Sequence, residues 1–173
     1  MVDLRVIILE YVYVGRIKGT HGLKGELKLI SDFLYKDKVF NKGFNFFVGN
    51  DKKHVTLEKV RYHNGVYLIT FHGLEDINLV ENLKNSDLYI LKEDLCLSDN
   101  QFVFEDYIGL DCYFSGEFIG KVIDIVNCGN NNYVFYIKDQ KEVLIPVNDK
   151  FIEKVILKDR IIFKEVEGLI NAN

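Results

Sequence analysis

The feature that most constrains the fold is the recurrence along the chain of short alternating or apolar runs cut by turn residues, with little sustained helical period. In the first half Tyr11 to Ile17, Glu26 to Ile30, Phe44 to Val48, Val55 to Tyr62, Val66 to Phe71 and Asp87 to Leu91 read as strands. Asn64-Gly65 is a two-residue hairpin signal, because a type I′ turn needs positive φ at both central positions. Six strands at this spacing favour a small closed barrel, the arrangement that leaves no exposed edge. One helix interrupts them: Asp76 can cap it, Ile77, Val80 and Leu83 share a face, and Asn85 suits a left-handed exit.

The segment Leu95-Cys96-Leu97-Ser98-Asp99-Asn100 relaxes this pattern, and a second β series follows it. Its strands are Leu110 to Phe114, Phe118 to Val126, Tyr133 to Ile137, Glu142 to Val147, Val155 to Leu157 and Ile161 to Val166, with turns at Ser115-Gly116 and Lys158-Asp159 and a loop from Asn127 to Asn132. The expectation is an all-β protein of two small β-barrels: a first domain over residues 1–95, a linker over 96–100 and a second domain over 101–173. Pro146, the only proline, falls at an apolar strand end, where a missing N–H is tolerable at an edge or terminus.

Charge is shared unevenly between these halves. The 173 residues carry a net charge of −4, which argues against coating nucleic acid indiscriminately, since such binding is mostly phosphate neutralisation. Residues 1–95 nevertheless hold 14 Lys and Arg against 13 Asp and Glu, whereas residues 96–173 hold 8 against 13. RNA would be met by the first half, and a basic protein by the acidic second half.

Gly15-Arg16-Ile17-Lys18-Gly19-Thr20-His21-Gly22-Leu23-Lys24-Gly25 sets four glycines among Arg16, Lys18, His21 and Lys24. Glycine reaches positive φ at little steric cost, so Gly15, Gly19, Gly22 and Gly25 point to one tightly turned loop whose N–H groups and cations could hold phosphate oxygens. The spacing is not that of a nucleotide P-loop, and a strand follows rather than a helix. The alternative is that the glycines only let a strand bend at a barrel corner.

Catalysis finds no assembled site. His21, His54, His63 and His72 fit neither H-E-x-x-H nor a zinc set, and Cys96, Cys112 and Cys128 lie in the half that has no histidine. An odd cysteine count without C-x-x-C indicates no disulfide framework and points to buried, reduced thiols. No catalytic residue, metal or cofactor is expected. The apolar run from Val6 to Val14 is broken by Glu10 and lacks the marks of a signal peptide, and no run approaches a membrane span. A soluble, cytoplasmic monomer without membrane contact is expected.

Gly15-Arg16-Ile17 with His21-Gly22-Leu23-Lys24-Gly25-Glu26 resembles the opening signature of the ribosome maturation factor RimM family. Gly73-Leu74-Glu75-Asp76 with Glu81-Asn82-Leu83-Lys84 is similar to a further motif of that family, with Val80 and Asn85 where alanine and glycine are usual. Asp106-Tyr107-Ile108-Gly109-Leu110, Gly120-Lys121-Val122, Leu144-Ile145-Pro146 and Glu167-Gly168-Leu169 extend the resemblance along the chain. It implies a six-stranded N-terminal barrel like those of translation factors and a C-terminal PRC-type barrel. It also implies a non-catalytic assembly factor that binds the immature small ribosomal subunit at its head, through rRNA and a basic ribosomal protein, and promotes rRNA processing. The alternative is a protein adaptor without RNA contact.

On this reading Arg16, Lys18, His21 and Lys24 are candidate RNA contacts, and Phe102, Phe104, Asp106, Ile145 and Pro146 candidate ribosomal-protein contacts. Phe102-Val103-Phe104 replaces the family's adjacent aromatics, so the bulk survives but the tyrosine hydroxyls do not. Phe102 and Phe104 could equally pack into the second barrel, Asp106 could cap the following turn, and Ile145 and Pro146 could be core or edge residues.

Overall fold

The alternation along the first half resolves into a closed six-stranded barrel in the order β1-β2-β5-β4-β3-β6, with neighbours antiparallel. Its strands are β1 (Tyr11–His21), β2 (Glu26–Ile30), β3 (Asn45–Val48), β4 (Lys53–His63), β5 (Val66–Phe71) and β6 (Asp87–Leu91). The computed structural model describes residues 9–98, 101–129, 132–166 and 168–170, and the chain divides after Ser98 into two compact units. Each barrel strand turns one phase of its alternation inward: Ile17, Leu27, Leu29, Phe46, Leu57, Ile69, Phe71, Leu88 and Ile90 are all at most 1% exposed.

β1 is four residues longer than its sequence pattern indicates, because glycines do not end it. Two bulges keep it paired: the register slips between Tyr13 and Gly15 against β6, and between Ile17 and Gly19 against β2. The single loop expected over residues 15–25 is therefore corrected. Gly15 and Gly19 are strand residues at bulges, and the turn itself is residues 22–25. At Gly15 the barrel-corner reading describes the backbone, since a Cβ there would lie 2.3 Å from the carbonyl oxygen of Ile30. At Gly25 both demands on glycine meet: φ is +69°, and a Cβ would lie 2.1 Å from the Leu74 carbonyl.

The expected helix is present as α2 (Ile77–Val80), continued by a 3-10 turn, Glu81–Leu83. Asp76 caps it, its Oδ1 accepting from the Asn78 N–H at 2.8 Å. Val80 and Leu83 are buried, and Asn85 takes the left-handed exit at φ 62°. The Asn64-Gly65 turn likewise has positive φ at both residues, with His63 opposite Val66. Sequence periodicity misses α1 (Lys36–Val39), a single turn that buries only Val39 among aromatics without helical spacing.

The second unit holds β7 (Asp111–Phe114), β8 (Glu117–Asn127), β9 (Tyr133–Lys138), β10 (Glu142–Pro146), β11 (Ile152–Ile156) and β12 (Arg160–Phe163). They form one six-stranded sheet in the order β10-β9-β8-β7-β12-β11, antiparallel except for the parallel β12/β7 pair. Its core gathers Tyr107, Leu110, Cys112, Val122, Phe135, Ile137, Ile145, Ile161 and Phe163. Ile145 from one end of the strand order and Ile152 and Val155 from the other pack on that same cluster, so the sheet wraps around it. Pro146 ends β10, the terminal strand of the order, where its missing N–H breaks no ladder.

All three cysteines are free, but only Cys112 is buried; Cys96 and Cys128 are exposed, which corrects the expectation of three buried thiols. Near the end of the first unit, Lys92–Leu95 form a 3-10 turn closed by Cys96 in the left-handed region. Asp99, Asn100 and Glu167, and residues 130 and 131 of the loop from 127 to 132, lie outside the described residues. Among the described residues no helix is long and apolar enough to cross a membrane.

Candidate nucleic-acid interface

The outward phase of β1, β2, β5 and β4 is where the cations gather. The bulge between Ile17 and Gly19 leaves Lys18 as the unpaired extra residue of β1, pushed out to solvent. Gly19 stands opposite Lys28, which stands opposite Leu68, which stands opposite Arg61, so one register row carries two cations across four strands. Leu68, on the outward phase of β5, is nevertheless only 1% exposed. A further row sets Lys59 beside Thr70, after a bulge that leaves Glu58 as the extra residue of β4.

Several of these charges are committed locally. Arg61 reaches across β5 to grip Glu26 with two bonds of 2.9 Å, and this guanidinium holds the Glu26 carboxyl below its ordinary range. Arg16 Nη1 lies 3.2 Å from Asp87 Oδ1, so its charge is shared before any partner arrives. Glu58 is bound by Lys42 and faces His72 Nδ1 at 3.5 Å, and the Lys42 ammonium lowers its pKa. Among the described residues Lys18, Lys24, Lys28 and Lys59 have no acidic partner, and all four are exposed.

Lys24 sits in the turn over residues 22–25, which is docked onto the barrel: the Leu23 carbonyl accepts from the Ile77 N–H at 3.0 Å. His21 ends β1 opposite Glu26, with its ring 6.1 Å from that of His63. Of the residues singled out in the sequence, then, Lys18, His21 and Lys24 share this face, whereas Arg16 is paired with Asp87 at its β6 side. Lys28 and Lys59 are the residues sequence reasoning missed. Lys28 stands on the polar phase of Glu26-Leu27-Lys28-Leu29-Ile30 and was open to that inference; Lys59 needed the register of β4 and β5.

In the second unit the candidate contacts also take part in packing and turn structure. Phe102 packs edge-on against Tyr107 at 5.7 Å, and Phe104 against Tyr133 at 4.7 Å, both partly buried on the core. Asp106 Oδ2 accepts from the Val103 N–H at 3.1 Å, tying down the 3-10 turn Phe104–Asp106. Ile145 is fully buried, which corrects its place among surface contacts, while Pro146 remains partly exposed. The outward phase of β8, β9 and β10 instead carries Val126, Val134 and Pro146 in one row and Asp124, Tyr136 and Leu144 in the next, with Ile123 as a bulge residue. Ile123, Val126 and Leu144 are 50%, 41% and 57% exposed. Among the described residues no group of His, Cys, Asp and Glu could hold a metal ion.

The molecule is thus a two-unit, all-β protein whose first unit carries unpaired lysines on an outer face and whose second exposes apolar residues on β8 and β10. The model of the RimM N-terminal domain matches residues 12–95. Curated relatives, each a ribosome maturation factor RimM, come from Staphylococcus aureus (37% identity, covering 92% of this chain and 99% of the relative), Finegoldia magna (34%, 89% and 95%) and Exiguobacterium (32%, 94% and 98%). A crystal structure of a RimM from Pseudomonas aeruginosa overlaps 91% of this chain and 98% of its own at 18% identity, with a TM-score of 0.41. The chain belongs to the ribosome maturation factor RimM family.

Proposed function

We propose that this protein assists maturation of the small ribosomal subunit without covalent chemistry, binding rRNA with the outer face of its barrel and a basic ribosomal protein of the subunit head with its second unit. The observation that carries the RNA half is the set of four unpartnered lysines on one barrel face, since cations already held by carboxylates gain little from a phosphate. Supporting the protein half is the excess of acid in residues 96–173 together with the exposed apolar residues of β8 and β10. Relatives named as ribosome maturation factors agree with the whole. Residues 1–98 and 99–173 then serve as separate domains, one for each partner, in a monomeric, cytoplasmic protein. A factor of this kind acts by preferring the immature head: it shifts the assembling particle by the difference between its affinities for the two forms, and leaves when that difference is spent.

The test is titration of rRNA from the subunit head with the full chain over a range of salt. Replacing Lys18 and Lys28 together by alanine is expected to reduce the slope of log affinity against log salt by roughly 1.4 to 1.8, at 0.7 to 0.9 per lost phosphate contact. An unchanged affinity and slope would remove the RNA half and leave the adaptor reading.

A further inference from the structure

The barrel face is not flat. Between the 22–25 turn and the β4/β5 pair lies an open hollow of about 840 Å³, lined by His21, Leu23, Lys24, Lys59 and Thr70 together with the carboxylates Glu26, Glu58 and Glu75. That volume falls within the ~300–1,000 Å³ of sites that take small molecules. Thr70 is the one buried polar residue among the described core residues, 5% exposed, and it lines the hollow. Facing the hollow, that hydroxyl can exchange a hydrogen bond with a molecule that enters it.

The charges around it sort cleanly. Glu26 is taken by Arg61, Glu58 by Lys42, and Glu75 Oε1 accepts from the Gly73 N–H at 3.0 Å, so the carboxylates are engaged while Lys24 and Lys59 are not. Leu23 is 77% exposed at the rim, held there by the backbone bond from its carbonyl to Ile77. Two ammonium groups without an acidic partner, a hydroxyl in the lining, carboxylate acceptors and an apolar lip together match a nucleotide: phosphate, ribose hydroxyl, base edge and base face. Phosphates on an intact duplex lie on a convex surface and would leave the floor of the hollow untouched.

Resting on the RNA-binding reading above, we infer that the hollow between the β1/β2 turn and β4/β5 takes one unstacked RNA nucleotide, with Lys24 and Lys59 on its phosphates, Thr70 as hydroxyl partner and Leu23 against the base. The barrel therefore favours unpaired over paired RNA. Such a preference suits a factor acting on rRNA before its helices have closed.

The experiment uses the full chain, a fluorescein-labelled unstructured 12-nucleotide RNA and a 12-base-pair RNA duplex, read by anisotropy. Lys59→Ala is expected to weaken single-strand binding about tenfold, the loss of one charge-assisted contact, and to reduce its salt slope by about 0.7. Thr70→Val should cost about threefold with the slope unchanged, as for a neutral hydrogen bond. Thr70→Ser, which keeps the hydroxyl, should restore binding and so separates this role from packing. Duplex binding should change little in all three. If Lys59→Ala and Thr70→Val leave the single strand bound as before while the Lys18 and Lys28 double variant still loses affinity, the hollow is excluded and the RNA-binding reading stands. If none of these variants changes binding, both fall. Equal losses on strand and duplex would also overturn the nucleotide site, reducing the hollow to one more phosphate contact.

Discussion

Two six-stranded units solve one problem differently, and the difference lies in the outward half of each strand. Both turn the inward phase of their alternation into a dry core, Phe46, Ile69 and Phe71 in the first, Phe135, Ile137 and Phe163 in the second. The barrel closes by hydrogen bonding β6 to β1, whereas the second sheet meets itself through side chains of β10 and β11 packed on one cluster. On the outside the first unit spends its strand positions on Lys18, Lys28 and Lys59, and the second on Ile123, Val126 and Leu144. Fold is thus carried by one phase of the sequence, and the proposed partner contacts lie on the other, so each can change without disturbing its counterpart.

The sharpest way to break this division is to ask whether the cores are separate in energy as well as in space. Phe71→Ala and Phe135→Ala each remove a fully buried ring and should cost about 3–5 kcal/mol. Hydrogen exchange read peptide by peptide is expected to show Phe135→Ala deprotecting β7 to β12 while β1 to β6 keep their protection, and Phe71→Ala the reverse. Deprotection of both units by either variant would mean one cooperative core and would end the comparison.

A smaller effect tests the glycines that hold the cationic face in shape. Gly25→Ala places a Cβ against the Leu74 carbonyl at a left-handed φ and should cost roughly 2–4 kcal/mol in urea unfolding of the barrel. Gly19→Ala, with nothing within 4 Å and no left-handed φ, should stay within about 0.5 kcal/mol. Equal costs would show that the 22–25 turn is not pinned to the segment before α2, and the floor and rim of the hollow would no longer be fixed relative to each other.

Much of this architecture was legible in the residues. Glu26–Ile30, Val66–Phe71 and Asp87–Leu91 end where their alternation ends, and the Asp76 cap and the Asn64-Gly65 turn follow from local chemistry that tertiary contacts do not override. The reach of β1 was not legible, because a glycine in a strand reads the same whether it starts a loop or absorbs a bulge; only the slip against β2 and β6 tells them apart. Site residues divide in the same way. Lys18 and Lys24 announce themselves beside glycines, but Lys59 and Thr70 belong to the hollow only through the pairing of β4 with β5. For Leu144-Ile145-Pro146 the motif alone does not separate the contact reading from the core one, whereas strand alternation sends its middle residue inward.

The mildest contrast concerns the cysteines and sharpens the account of the second core. Burial pushes the Cys112 thiol up to about 12 from an ordinary value of 9.0, with the neighbouring Asp111 carboxylate adding to the shift. Since the folded pKa is the higher one, the neutral thiol's contribution to stability is complete below pH 9 and is lost as pH rises toward 12, by at most about 1.4 kcal/mol per pH unit. The second unit should therefore lose urea stability between pH 9 and 11 by more than a Cys112→Ala variant does. At pH 8 in native conditions a thiol reagent should label Cys96 and Cys128, which are exposed, and spare Cys112 until urea is added. Labelling of Cys112 at the same rate as the other two would show that the second core opens readily. The wrapped sheet, unlike the hydrogen-bonded barrel, would then be only loosely sealed around its cluster.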